Sequence, residues 1–280
     1  MTDGGGAAEP IRLLLADVDG TLVTPEKELT EATVAAVRKL DEAGVSFALT
    51  SGRPPRGMAM LIAPLRVRTP VAAFNGGELV SPEDMAVIEQ RTIPDRLLGP
   101  AVELMRGHGL DAWVYRGSDW YVQDPDGPHV AREAATVQFG PTVRADYEGL
   151  RDAVKIVGVS DDHDAVAGAA RAARERFGKH VSAACSQPYY LDVTHPKANK
   201  GSVVDYLAKH LDVPASAIAT IGDMPNDVLM FARSGLSIAM GNADPQVHRA
   251  ARHVTGPNDK DGFAEAVRRF VLPAAQRSER

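Results

Sequence analysis

The 280-residue sequence holds one cysteine, Cys185. A single thiol forms no internal disulfide, so the chain reads as a protein of a reducing compartment, held together by its core. Cys185 itself reads as a small buried side chain. No window reaches the apolar length of a membrane span, and no basic-then-apolar signal pattern opens the sequence. The expected location is therefore cytoplasmic, with no membrane partner. Lysine and arginine form no run and the net charge is −6, which argues against a nucleic-acid surface. HxxxH spacing is absent, so a zinc site has no support. Neither GxGxxG nor a Walker loop occurs, which removes the two commonest nucleotide-binding readings. Aromatic residues make up only 5%, yet Trp113, Tyr115, Trp120 and Tyr121 share one short segment, read as hairpin packing.

What is present is an alternation of short apolar runs with helical periodicity. Ile11–Ala16 reads as a strand, Thr30–Ala43 as a helix stopped at Gly44, and Val45–Thr50 as a buried strand. Gly57–Leu65 follows as a helix and Val71–Phe74 as a strand. This pattern predicts an α/β fold with a doubly wound parallel sheet. After Pro82 its character changes. Val87–Ile93 reads as a strand, Asp95–His108 as a helix, Ala112–Val122 as a hairpin turning at Gly117-Ser118, Val154–Val159 as a strand, Asp162–Phe177 as a helix and Val181–Val193 as a second hairpin. Hairpins with helices imply an inserted α+β module. From Lys200 the first pattern resumes: helices over Ser202–Leu211, Asp227–Ser234, Pro245–Ala251 and Gly262–Leu272, with strands Ile218–Ile221, Leu236–Ala239 and His253-Val254. The expected division is a flexible tail over 1–10, a discontinuous core over 11–83 and 192–280, and an insertion over 84–191.

In a parallel sheet the ligand crevice lies at the carboxyl ends of the strands. Asp17-Val18-Asp19-Gly20-Thr21-Leu22 leaves the first strand there. Carboxylates two residues apart at a strand exit point the same way, and Gly20 lets the chain turn so that Thr21 can return a hydroxyl. Close carboxylates repel unless a cation joins them, and a hard divalent ion such as Mg2+ suits oxygen ligands. An ionised Asp beside such an ion can attack an electrophile while a second moves protons. Ser51 and the Gly52 amide, after the second strand, can hold phosphate oxygens, although a strand ending in Ser-Gly read alone is more often just a turn. Gly222-Asp223-Met224-Pro225-Asn226-Asp227 leaves another buried strand, placing Asp223 to supply a further oxygen ligand. Asn226 and Asp227 read equally as site residues or as helix N-terminal residues that satisfy free amides. Lys200, opening a helix, offers a cation for a phosphoryl group; Lys197, in a linker, reads as a surface charge. Asp124–Gly127 reads as a turn and Ser160–Asp164 as an acidic helix start.

Together these strings resemble the haloacid dehalogenase superfamily, and within it the Cof-type hydrolases with a large type IIB cap, over about Ile11 to Leu272. The four motifs match Asp17–Leu22, Ser51, Lys200-Gly201 and Gly222–Asp227. The resemblance implies a Rossmann-like core with an inserted cap, and a phosphatase of small phosphorylated metabolites, sugar phosphates above other classes. It implies Asp17 as nucleophile forming an aspartyl-phosphate and Asp19 as acid and base. It implies Mg2+ held by Asp17, the Asp19 carbonyl oxygen and Asp223 with Asp227 close behind, and phosphoryl contacts from Ser51, Gly52, Lys200 and Asn226. A sugar phosphomutase of the same superfamily and a non-catalytic regulatory protein on this scaffold are the competing readings. The expected partner is a small metabolite, with no nucleic acid, and the chain a monomer or homodimer.

Overall fold

Leu13–Asp17 (β1) is buried along its whole length, as expected of a parallel strand covered on both faces. The computed structural model to which it belongs describes residues 9–276; residues 1–8 of the expected tail lie outside them. In chain order β1 is followed by α1 (Glu31–Glu42), β2 (Ser46–Thr50), α2 (Ala59–Leu65), β3 (Val71–Ala73), β4 (Glu78–Val80) and β5 (Val87–Gln90). Next come α3 (Asp95–Gly107), β6 (Asp111–Arg116), β7 (Asp119–Val122), α4 (Val130–Val137), β8 (Thr142–Val143), β9 (Lys155–Val159) and α5 (His163–Phe177). The chain continues with β10 (Ser182–Gln187), β11 (Tyr190–Thr194), α6 (Lys200–His210), β12 (Ile218–Gly222) and α7 (Val228–Phe231). It ends with β13 (Leu236–Ala239), α8 (Pro245–Ala250), β14 (His253–Val254), α9 (Gly262–Ala266) and α10 (Leu272–Ala275).

Two units emerge. The first holds the described residues up to Ser51, Leu61–Val71 and those from Asn199 onward; the second holds Gly52–Met60 and Ala72–Ala198. Residues 52–60, 72–83 and 192–198, expected with the core, thus group with the insertion; the last of these follow β11, which runs on to Thr194 within the second unit's own six-stranded sheet.

In the first unit the strands run β14-β13-β12-β1-β2, all parallel. Leu13 stands opposite both Ile218 and Ser46. The chain leaves β1 toward β2 on one side and returns on the other through β12, so the order reverses at β1, where a doubly wound sheet binds its ligand. Thr30 caps α1 by accepting from the Thr33 amide at 3.1 Å, and the helix buries Ala36, Val37 and Leu40. Gly44, at φ +73°, ends that segment in a conformation that favours glycine.

The second unit carries a six-stranded sheet, β10-β11-β9-β6-β7-β8, antiparallel except where β7 meets β8. One face packs on α3 and α5 through Leu98, Val102, Met105, Val114, Ile156, Val166 and Leu191. The Gly117-Ser118 turn is as expected, with Arg116 paired to Asp119.

Several expectations fail. Cys185 is exposed: it lies on edge strand β10, where the pairing slips between Cys185 and Gln187. The strand expected over Val87–Ile93 stops at Gln90 and is exposed throughout. Elements β4, β8 and α4 were not foreseen. The helix expected over Gly262–Leu272 is α9, a π-turn at Val267–Val271 and α10. Among the described residues no helix is long and apolar enough to cross a membrane.

Candidate active site

Strand register brings three motif ends side by side. Asp17, last in β1, stands opposite Thr50 of β2, so Ser51 is the next residue on the neighbouring strand. Ala16 stands opposite Ile221 of β12, so Gly222-Asp223 leaves the sheet beside Asp17. The site lies at the carboxyl end of the sheet, where its order reverses.

Lys200 is the first residue of α6. Its N-cap, Asn199, accepts from the Ser202 amide at 3.0 Å. A Cβ on Gly201 would lie 2.8 Å from the Leu229 carbonyl, so glycine there lets α6 approach α7 and set Lys200 deep. Its ammonium, 2% exposed, donates to Asp17 Oδ1 and Asp227 Oδ1, each at 2.5 Å. Asp227 is the best-held carboxylate of the group. Its Oδ2 accepts from the Asp223 and Met224 amides at 2.9 Å, which fixes the turn carrying Asp223. It closes the turn Pro225–Asp227 that precedes α7. Asp227 therefore does both things its sequence position allowed, satisfying free amides and facing the site. A Cβ on Gly222 would lie 2.3 Å from Asp227 Cγ, so this carboxylate needs glycine beneath it.

Asp223 is held more loosely, by Thr21 Oγ1 and Asn242 Nδ2, each at 3.3 Å. Its carboxylate rests on Gly20, where a Cβ would fall 2.2 Å from Oδ2 and φ is +81°. The DxDGT turn thus leaves a cradle that only glycine provides. Asn242 also donates to the Gly20 carbonyl at 2.9 Å. Asp19 directs Oδ1 to Lys27, 2.7 Å away, with about a third of its side chain exposed, and so stands apart from the buried trio.

One ammonium faces three buried carboxylates, Asp17, Asp223 and Asp227, each offering an oxygen within 4.8 Å of the others. Burial, and then repulsion by Asp227 and Asp19, push Asp17 well above the ordinary carboxylate range against the pull of Lys200. Asp223 rises likewise through burial and repulsion by Asp17 and Asp227. Burial works against the charge of Lys200, but Asp17 and Asp227 outweigh it and hold the ammonium protonated. With its carboxylates ionised the cluster carries more negative than positive charge, its donors are all hard oxygens, and Asp223 is held only at 3.3 Å by Thr21 and Asn242. A divalent cation fits that set.

Of the residues expected from sequence, the structure brings Asp17, Asp223, Asp227 and Lys200 into contact and places buried Ser51 beside them. Asn226 is half-buried in the Pro225–Asp227 turn. Gly52 opens the second unit, with Asn75 Nδ2 3.5 Å from where its Cβ would lie. Lys197 is exposed, as its linker position implied. Asp162 caps α5 and Asp124 closes a turn, as expected. Lys27 and Asn242 were missed. Asn242 follows a strand end, β13, and that position was the available signal; nothing in the sequence marks Lys27.

A model of the haloacid dehalogenase-like hydrolase family matches residues 14–267. The HMP-PP phosphatase of Cronobacter sakazakii is 27% identical over 248 residues, covering 87% of this chain and 89% of that protein. The pyridoxal phosphate phosphatase of Escherichia coli is 25% identical over 270 residues, covering 91% and 97%. Among solved structures, a haloacid dehalogenase-like hydrolase from Bacteroides thetaiotaomicron superposes with a TM-score of 0.84 at 26% identity, over 93% of this chain and 99% of that one. The match over most of the chain shows that the protein belongs to the haloacid dehalogenase-like hydrolases, as a phosphoric monoester hydrolase.

Proposed function

We propose that this protein is a Mg2+-dependent phosphatase of small phosphorylated metabolites, sugar phosphates first among them, acting in the cytoplasm through an aspartyl-phosphate. The observation that carries this reading is the buried Asp17 at the end of β1, bonded to Lys200 with Asp223 and Asp227 alongside. Asp17 attacks phosphorus, and the ester oxygen leaves with a proton from Asp19. Asp19 then takes a proton from the water that attacks the acylphosphate phosphorus, releasing inorganic phosphate and restoring both carboxyl groups. Ser51, the Gly52 amide, Lys200 and Asn226 bind the phosphoryl oxygens, since this transfer depends on positioning and charge compensation. Mg2+, held by Asp17, Asp223 and the Asp19 carbonyl oxygen with Asp227 behind, supplies positive charge to those oxygens and relieves the carboxylate repulsion. Asp227 has both oxygens occupied by Lys200 and two amides, which suits it to positioning rather than direct ligation. The insertion, residues 84–191, acts as the cap that selects the organic part of the ester.

The pyridoxal phosphate and HMP-PP phosphatases among the relatives are named for small phosphorylated compounds, which supports that size class. A panel of phosphate esters assayed with Mg2+ and with EDTA tests the reading. Turnover of small esters that EDTA abolishes supports it; phosphoryl transfer back to a sugar in place of release to water favours a mutase.

A further inference from the structure

Strand β2 ends at Thr50, opposite Asp17, and begins at Ser46. Beside that beginning, at the end of the strand away from the carboxylate cluster, a cavity of about 90 Å3 opens between the last turn of α1, the start of β2 and the end of α2. Every residue that lines it belongs to the first unit.

The sequence builds this cavity in two layers. Val37 of α1, Phe47 of β2 and Leu65 of α2 are buried and form its floor. Thr69 is buried with them and donates its hydroxyl to the Phe47 carbonyl at 2.8 Å, so that group is already engaged. Around the mouth stand Arg38, Arg66 and Arg68, all exposed. Asp41, three residues beyond Arg38 on the same side of α1, pairs with Arg68 at 3.3 Å. Arg38 and Arg66 have no acidic partner among the described residues. The ends of α1 and α2 each bring about half a negative charge to this region, and Asp41 brings one more. Three guanidiniums exceed that sum by about one positive charge, so the mouth draws an anion. A nucleotide or a sugar phosphate is too large, since sites for drug-sized ligands run to roughly 300–1,000 Å3. Inorganic phosphate has no apolar part to cover the floor. A short hydrocarbon stem ending in a carboxylate meets both layers: the stem leaves water for the floor, and a guanidinium fork holds the carboxylate through paired hydrogen bonds.

We propose that this cavity binds a short-chain aliphatic carboxylate, at a site separate from the one that holds phosphate. The probe is butanoate, titrated into the full chain and followed by calorimetry. Saturable binding is expected, and added salt should weaken it because the arginines are exposed. Arg38→Gln and Arg66→Gln alter exposed side chains without acidic partners, so both variants should fold. Each is expected to weaken butanoate binding about fivefold or more. Asp41→Asn releases Arg68 and should tighten binding several-fold, a gain that a merely structural role for these charges would not produce. Butan-1-ol, with the same stem and no charge, should bind at least about tenfold more weakly. Inorganic phosphate, with charge and no stem, should not displace butanoate at equal concentration. No saturable binding of butanoate overturns the inference. So does equal affinity in the wild type and both arginine variants, an Asp41→Asn variant that binds no better, or displacement by equimolar inorganic phosphate. None of these results bears on the phosphatase reading, which rests on other residues.

Discussion

At the scale of single residues, the decisive quantity is the sign of the charge in the buried cluster. Lys200 is the cation bonded to Asp17 and Asp227, and Asp223 lies beside them. Asp17→Asn therefore removes a repulsion as well as the proposed nucleophile. The expected outcome is a variant whose Tm without metal equals or exceeds the wild type, and whose turnover falls by several orders of magnitude. Lys200→Met moves the balance the other way. Leaving Asp17 and Asp227 uncompensated is expected to cost about 3–5 kcal/mol in stability together with activity, readable by denaturant melts. Glu78, a residue of the second unit, supplies a separate pH effect. It is fully buried on β4, both carboxylate oxygens have no partner among the described residues, and burial pushes its pKa up to about 7. A carboxyl whose folded pKa is raised stabilises the fold most below its unfolded pKa, and that stability is lost as pH rises toward 7. Glu78→Gln is therefore expected to flatten the dependence of Tm on pH between about 4.5 and 7, and to gain roughly 3 kcal/mol over the wild type at pH 8. Equal pH profiles for the two proteins would contradict this. The reach of the sequence is also clearest here. Asp17, Asp223 and Lys200 are marked by strand ends and a helix start, whereas Lys27 is brought to Asp19 by a turn that carries no chemical signature.

At the scale of elements, the parallel strands were legible because apolar runs ended in Gly or polar residues that leave the sheet. What escaped were elements whose ends carry no ordinary signal. Helix α4 is flanked by His129 and Gln138, both at positive φ, and neither supplies a side-chain cap. The two residues of β8 are exposed and carry no alternation to read. The last helical segment keeps an apolar face throughout, so periodicity could not show the π-turn at Val267–Val271. Cys185 reads as buried by composition; only the strand order reveals its edge position. The loop after β1 yields a prediction at this scale. Gly20→Ala places a Cβ against Asp223 at φ +81°, which should cost about 1–3 kcal/mol and displace that carboxylate. The measurable result is a raised Mg2+ requirement in the assay, larger than that of Gly44→Ala, where φ is +73° but no atom lies within 4 Å of the added Cβ.

For the whole molecule, the order reversal at β1 gathers residues far apart in sequence, from Asp17 to Asp227, at one end of one sheet. On the proposed reading these residues hold the phosphate, and the insertion distinguishes the esters. Small phosphate esters are accordingly expected to be hydrolysed faster than phosphopeptides, and a reversed preference would count against the cap reading. On the proposed mechanism a carboxylate oxygen of Asp17 accepts the phosphoryl group. This is tested most directly by incubating Asp19→Asn protein with substrate and Mg2+, quenching in acid, and mapping any added phosphoryl group by peptide mass. The modification is expected on Asp17 and is expected to be absent from Asp17→Asn protein, which should turn over no ester. Undiminished turnover by Asp17→Asn, or a phosphoryl group on another residue, would contradict it.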